Sequence, residues 1–292
     1  MKKRNLKLIV CALLVTMVGG AFVGCGSKDS TDTTEEKSIA ISGSSALLPL
    51  MEKAVEGFKA KNAGYEINAQ AGGSGTGLTQ VLDGSVNIGN SDIFANEKLD
   101  EDKSKELVDH QVVAQGFTVA VSKKLGVTNL TKDQIKKIFS GQVKNWKEVG
   151  GPDKEILVIH RPASSGTRAT FLKTVLDGDK TLENDAIGAT QDANGSVLTA
   201  MEQSDGAISY LGLAYMNGDA KDKLAGVSID GVSSDKANIT TGKYVFWSWG
   251  HMYTKGEATG LSKKFIDYIL SADNKKSIED LGFISGSEMK VK

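Results

Sequence analysis

The chain has 292 residues, with 35 Lys+Arg against 36 Asp+Glu, a formal net charge of −1, 33 Gly and 2 Cys. So even a balance excludes the broad positive field that nucleic acid requires, and any bound anion has to be held by local donors. Both cysteines, Cys11 and Cys25, fall in the first 25 residues. The roughly 255 residues beyond the N-terminal segment therefore fold without disulfides, and they suffice for one large domain or two smaller ones.

Residues 1–24 read as an export signal: Lys2, Lys3, Arg4 and Lys7 precede the apolar run Leu8 to Val18, and small residues follow. The run is too short to span a membrane comfortably. Phe22-Val23-Gly24-Cys25 resembles the lipobox of bacterial lipoproteins, in which the Cys becomes the lipidated first residue, although Phe22 stands where that pattern prefers Leu. The expectation is palmitate-type lipidation at Cys25, which anchors an extracytoplasmic protein to the cell membrane. Residues 25–37 are polar and low in complexity, as a flexible tether should be. Loss of the leader takes four basic residues from 35 and moves the formal charge from −1 to about −5.

Ser38 to Ser42 alternates like a strand and ends at Gly43-Ser44-Ser45-Ala46; Leu47, Leu48, Met51, Ala54, Val55 and Phe58 then mark one face of a helix with Pro49 in its first turn. Tyr65 to Gln70 is a further strand, leading through Ala71-Gly72-Gly73-Ser74-Gly75-Thr76-Gly77 into a short helix at Leu78 to Leu82. That loop lacks the Lys-Ser/Thr of a P-loop, and its Gly spacing misses the dinucleotide fingerprint, so no nucleotide cofactor is expected. Val86 to Asp92 is a strand that delivers an acid at its end.

Gln111 to Val121 reads as a long extended segment through Gly116, followed by a helix at Thr131 to Phe139. Glu155 to His160 is a strand, and Ala169, Phe171, Leu172, Val175 and Leu176 have helical spacing, so Arg161-Pro162-Ala163-Ser164-Ser165-Gly166-Thr167-Arg168 is a strand–loop–helix junction. Two readings are open for it. One is an ordinary Ser/Thr cap with Arg161 on the surface; the other is an anion cradle, in which free helix N–H groups, hydroxyls and a guanidinium fork converge. Asn194 to Gln203 is helical, Ala207 to Leu211 a strand, Tyr244 to Trp249 an extended segment, and Leu261 to Leu270 a helix with Leu261, Phe265, Ile266 and Ile269 on one face. Trp247, Trp249 and Tyr253 are expected in core or hinge packing rather than along a cleft. His110, His160 and His251 are too scattered for a metal motif and read as structural.

Recurrence favours the cradle. Strand ends repeatedly present Ser, Gly or Thr before a helix, one presents Asp92, and in open α/β sheets ligands sit beyond the carboxyl ends of the strands. The order Gly43-Ser44-Ser45-Ala46, Gly73-Ser74-Gly75, Ser91-Asp92, then Arg161 with Ser165-Gly166-Thr167, resembles the phosphate-binding lipoproteins (PstS) of bacterial phosphate ABC importers. Thr128 to Ile135, with Ile138-Phe139-Ser140-Gly141 and Trp146, also fits that family, and the resemblance runs from Ile39 to Ile284. It implies an α/β, two-lobed, type II periplasmic-binding-protein fold, with mixed sheets flanked by helices and an anion cleft between lobes. Lobe I would comprise residues 38–117 and 250–292, and lobe II residues 118–249.

Position by position, the resemblance implies phosphate contacts from the Ser45 hydroxyl and the Ala46 N–H, from Ser74 and Asp92, and from Arg161, Ser165, Gly166 and Thr167; Ser44, Gly75 and Ser164 would stand just behind. Some relatives pair the Arg with an Asp two residues on, and here that place is Ala163, which leaves Arg161 either less fixed or oriented by another acid. The function implied is capture of inorganic phosphate by a monomer and its delivery to an ABC permease, without catalysis, cofactor, metal or nucleic acid. A carboxylate facing the anion selects one that carries a proton, as HPO₄²⁻ and H₂PO₄⁻ do and sulfate does not. Two rival functions remain: a receptor for sulfate, molybdate or another oxyanion, which Asp92 opposes, and an exported phosphate-ester hydrolase, for which neither a Gly-x-Ser-x-Gly elbow nor a His beside Ser45 or Ser165 is present.

Overall fold

Ile39 and Ile41 alternate with polar or small neighbours, and in the computed structural model, which describes residues 36–291, they form the buried face of β1 (Ser38–Gly43). The expected signal at 1–24, Cys25 and the tether as far as residue 35 lie outside the described residues. The further strands are β2 (Glu66–Ala71), β3 (Ile88–Ser91), β4 (Leu107–Ser122), β5 (Asn129–Leu130), β6 (Leu157–His160), β7 (Ala189–Thr190), β8 (Ala207–Gly212), β9 (Leu224–Ile229) and β10 (Trp247–Lys255). The helices are α1 (Leu48–Lys61), α2 (Ser74–Asp83), α3 (Glu101–Ser104), α4 (Lys132–Phe139), α5 (Gly166–Thr174), α6 (Asn194–Glu202), α7 (Ala220–Lys223), α8 (Lys236–Thr240), α9 (Gly260–Leu270) and α10 (Ala272–Asp280).

The strands join in the order β2-β1-β3-β10-β4-β8-β6-β7, with β9 pairing both β4 and β5. β1, β2 and β3 are mutually parallel, so their carboxyl ends, carrying Ser44, Gly73 and Asp92, share one edge. β6 and β8 are parallel neighbours in the other half of the sheet, and β6 delivers Arg161. β4 serves both halves: up to Gly116 it pairs antiparallel with β10, and from Phe117 it pairs with β8 and β9.

Each half has its own apolar centre. Ile39, Ile41, Leu47, Leu50 and Phe58 meet Phe265, Ile266 and Ile269 of α9, which is the face its spacing predicts. In the other half Phe117, Phe139, Phe171, Tyr210 and Phe246 are fully buried, and Phe171 of α5 stacks on Tyr210 at 4.3 Å between ring centroids. Burying one such ring contributes about 1.5–3 kcal/mol and holds α5 against β8.

Two boundaries differ from expectation. α2 begins at Ser74 rather than Leu78, because Gly73, at φ 84°, turns the chain sharply enough to start the helix inside the glycine-rich loop. The aromatic segment enters the ladder only at Trp247, since Tyr244 and Phe246 plug the core and the Tyr244 hydroxyl donates to the Phe117 carbonyl at 3.0 Å. Trp247 and Trp249 pack edge-on to each other at 5.8 Å against that core, in the packing role expected of them. Among the described residues no helix is long and apolar enough to cross a membrane.

Candidate anion site

The loops after β1, β3 and β6 and the first turns of α2, α5 and α6 converge on one sealed spot. Ser45, Ser74, Asp92, Arg161, Ser165 and Thr167 are each at most 2% exposed. Both halves contribute, and they touch. The Gly75 N–H donates to the Ser164 carbonyl at 2.9 Å, and a Cβ on Gly166 would stand 2.0 Å from Ser74 Oγ and 2.8 Å from Asp92 Cβ. Only glycine permits so close an approach of α5 to α2. At the rim Lys173 of α5 pairs with Glu97 at 3.0 Å, an exposed ion pair that adds little. Outside lies a groove of about 460 Å³ lined by Gly75, Lys98, Ser164, Ser165 and Arg168.

Each of the three serine hydroxyls accepts at least one N–H or guanidinium bond. Ser45 Oγ already accepts from Arg161 Nη2 at 3.1 Å and from Asn194 at both its backbone N–H (3.1 Å) and Nδ2 (2.9 Å), so its own proton is available. Ser74 Oγ accepts the Asp92 N–H at 2.9 Å, and Ser165 Oγ caps α5 by accepting the Arg168 N–H at 3.2 Å. A hydroxyl that accepts an N–H keeps its own proton to donate. Gly166 and Thr167 lie in the first turn of α5, where N–H groups lack helical partners and the helix dipole is positive.

Arg161 is the buried cation. Its Nη2 donates to Ser45 Oγ and, at 3.0 Å, to the Asp192 carbonyl, while Nε and Nη1 are buried without a partner. Burial pushes its pKa down. Among the described residues no carboxylate side chain hydrogen-bonds it; a backbone carbonyl and a serine orient it. Its own carbonyl is gripped by Arg168 Nη1, and Arg168 is clamped by Asp185 through two bonds of 2.7 and 2.8 Å. Behind this lies buried Glu183, which accepts from Tyr210 and faces His160 Nδ1 at 3.3 Å. His160 is thus a fully buried structural residue.

The carboxylate in the pocket is Asp92. Oδ1 accepts from Ser44 Oγ and from Gln115 Nε2 at 2.8 Å, and Oδ2 accepts from Thr167 Oγ1 at 3.2 Å. Burial raises its pKa, and the Ser44, Gln115 and Thr167 donors together with Arg161 oppose that rise. Asp92 is not a helix cap; it faces the convergent donors.

Sequence reasoning and structure agree that Ser45, Ser74, Asp92, Arg161, Ser165, Gly166 and Thr167 come together. The Ala46 N–H donates to Ser44 Oγ at 3.1 Å, and the Leu47 N–H to the same atom at 3.2 Å, so Ser44 closes the turn into α1. Ser44 touches Asp92 directly, while Gly75 and Ser164 form the seam between halves. Asn194, Gln115, the Asp192 carbonyl and Tyr215, whose hydroxyl donates to the Ser45 carbonyl at 2.7 Å, were not singled out. Asn194 at the start of α6 was the legible one, as a short polar side chain opening a helix; the others depend on tertiary placement.

Residues 28–273 match the model of the PBP superfamily domain. Over 299 aligned residues the chain is 47% identical to the phosphate-binding protein PstS of Bacillus subtilis (strain 168), covering 100% of this chain and 97% of that one. A Clostridium perfringens crystal structure with bound phosphate, of a protein assigned as a phosphate ABC transporter substrate-binding component, superimposes with a TM-score of 0.77 at 30% identity, covering 85% of this chain and 99% of that one. An ABC-type phosphate transport receptor from Vibrio cholerae gives a TM-score of 0.65 at 25% identity, covering 84% and 99%. The curled mixed sheet and its flanking helices are accordingly the periplasmic-binding-protein fold, and the chain belongs to the PBP superfamily and, within it, to the family of PstS phosphate-binding proteins.

Proposed function

We propose that the protein captures inorganic phosphate outside the cytoplasm and passes it to the permease of an ABC importer, without catalysing a reaction. The observation that carries this is a buried cluster of donors, Ser45, Ser74, Ser165, the first turn of α5 and the Nε and Nη1 nitrogens of Arg161, which have no partner among the described residues, gathered around one carboxylate, Asp92. Such a pocket suits a tetrahedral anion that accepts on most sides and donates on one. Inorganic phosphate keeps a proton at neutral pH and sulfate does not, and a facing pair of lone pairs in a dry site costs about 1–3 kcal/mol, more with charge. A hydrolase reading is disfavoured because, among the described residues, the Ser45, Ser74 and Ser165 hydroxyls bond to groups other than histidine. Titration calorimetry with phosphate, arsenate, sulfate and molybdate should give tight phosphate and arsenate binding and far weaker sulfate. Equal affinity for sulfate, or turnover of a chromogenic phosphate ester, would overturn the reading.

In this reading residues 38–117 with 250–292 and residues 118–249 are two lobes, the protein works as a monomer, and Cys25 carries a lipid that holds it at the membrane surface. Ligand contacts from both lobes favour the closed form. Gly166→Ala puts a Cβ where Ser74 Oγ must sit, so phosphate affinity should fall roughly 5- to 150-fold, the cost of overpacking by about 1–3 kcal/mol. The ligand-free melting temperature should hold or rise, because alanine suits a helix better than glycine. Solution scattering should show wild type contracting on phosphate addition and the variant contracting less. Wild-type affinity in Gly166→Ala would refute the clamp.

A further inference from the structure

Gln115, 2% exposed on β4, commits its amide to Asp92: Nε2 donates to Oδ1 at 2.8 Å, and Oε1 is buried without a partner. Ser44 Oγ donates to the same oxygen and is fixed there, because it also accepts the N–H groups of Ala46 and Leu47. Oδ1 is thereby filled with donors from the half of the sheet that carries Asp92. Oδ2 has one donor, Thr167 Oγ1 from the opposite half, and keeps a lone pair for the ligand.

Resting on the phosphate-receptor reading, we propose that Gln115 is a positioning residue for Asp92: together with Ser44 it occupies Oδ1, so that the carboxylate stays ionised and Oδ2 can only accept from the bound anion. The physical need is plain. A carboxyl group in a dry site tends to take up a proton. Protonated Asp92 would offer an O–H, and an anion without a proton would then be held as well as phosphate. Lys or Arg at position 115 would also keep Asp92 ionised, but would draw it into an ion pair and neutralise the charge that does the selecting. A carboxamide donates without adding charge. Leaving Oε1 buried and unpartnered is unfavourable, and an apolar side chain at this position would avoid it; the donor to Asp92 is what the glutamine supplies in return.

The groups acting on Asp92 are Ser44 from the turn after β1, Gln115 from β4, Arg161 from the loop after β6, Thr167 from α5 and the phenol of Tyr215 after β8. Burial raises its pKa; Ser44 and Gln115 oppose that more than Arg161 or Thr167 does. Removing the Gln115 donor therefore lets Asp92 protonate at higher pH, so discrimination survives in alkali and fails as pH falls.

The test is competition between phosphate and sulfate on the whole protein, wild type and Gln115→Leu, at steps from about pH 8 down to about pH 5.5. Comparing the two proteins at each pH cancels the change in phosphate's own ionisation. The phosphate-to-sulfate ratio of Gln115→Leu should match wild type at the alkaline end and fall about tenfold or more below it at the acidic end, the scale of one lost hydrogen bond to a buried charged group. A ratio that follows wild type throughout, or one lowered equally at every pH, overturns the proposal. Should the variant fail to fold, infrared spectroscopy of the wild type decides: the protonated-carboxyl band assigned to Asp92 by its loss in Asp92→Asn should be absent at neutral pH, and its presence there overturns the proposal. Wild type that binds no phosphate would strike the receptor reading instead, and the infrared result would still judge whether Asp92 is held ionised.

Discussion

Replacing Arg161 with methionine should weaken phosphate, arsenate and sulfate alike by roughly 2–4 kcal/mol, or about 30- to 1,000-fold, because a charge-assisted fork of N–H donors does not sense whether the anion carries a proton. The donors lost to the ligand are Nε and Nη1, which have no other partner. A second consequence follows from burial. Closing the two halves without an anion seals a guanidinium at 1% exposure with those two donors unpaired, a desolvation cost of several kcal/mol per ion. The bonds from Nη2 to Ser45 and the Asp192 carbonyl return roughly 0.5–1.5 kcal/mol each, more with the charge. Desolvation wins, so the arginine ties closure to the presence of ligand. In Arg161→Met that tie is cut: the phosphate-induced rise in melting temperature should vanish, and ligand-free protein should scatter as a more compact particle than ligand-free wild type. Retained affinity in this variant would show that the guanidinium is structural.

Asp92→Asn should separate the anions that Arg161→Met treats equally. The change keeps the shape but replaces an obligate acceptor with an amide that can also donate, so phosphate, whose other oxygens still accept, should weaken only about tenfold. Sulfate should gain, since the lone pairs that repelled it are gone. The phosphate-to-sulfate ratio at fixed pH should therefore drop by two or more powers of ten, about 3 kcal/mol or more, in line with the cost of an unmade bond to a buried charged group. Ser44, Gln115 and Thr167 all donate to this carboxylate. Some of their hydrogens will clash with the new amide hydrogens, so a modest loss of melting temperature should accompany the change. A ratio untouched by the substitution would place selectivity elsewhere in the pocket.

Much of the site was written in local sequence, because local chemistry sufficed. Ser165 before Gly166 and Thr167 specifies a capped helix with free N–H groups, and it caps α5 through the Arg168 N–H at 3.2 Å. Alternation in Ser38–Ser42 determined which face of β1 is buried, and the small-polar residues at successive strand ends marked where a ligand would lie. The resemblance to the PstS phosphate-binding family rests on those same residues, and the comparisons bear that family out.

Tertiary structure decided the rest. Gln115 sits in the middle of a 16-residue strand whose pattern says only that it is extended, and its bearing on Asp92 comes from the register of β4 against β10. Asn194 reaches Ser45 across 149 residues of chain, and Ser44 turns back to accept the Ala46 N–H. Ala163 left the orientation of Arg161 open between looseness and another acid; the answer was a carbonyl, a serine and the Arg168–Asp185 clamp, drawn from four separate segments. A sequence determines which groups a residue carries and how its own turn must run. Which distant partners meet those groups is set by the packing of the sheet's two halves, because such bonds need the geometry that the packed core fixes.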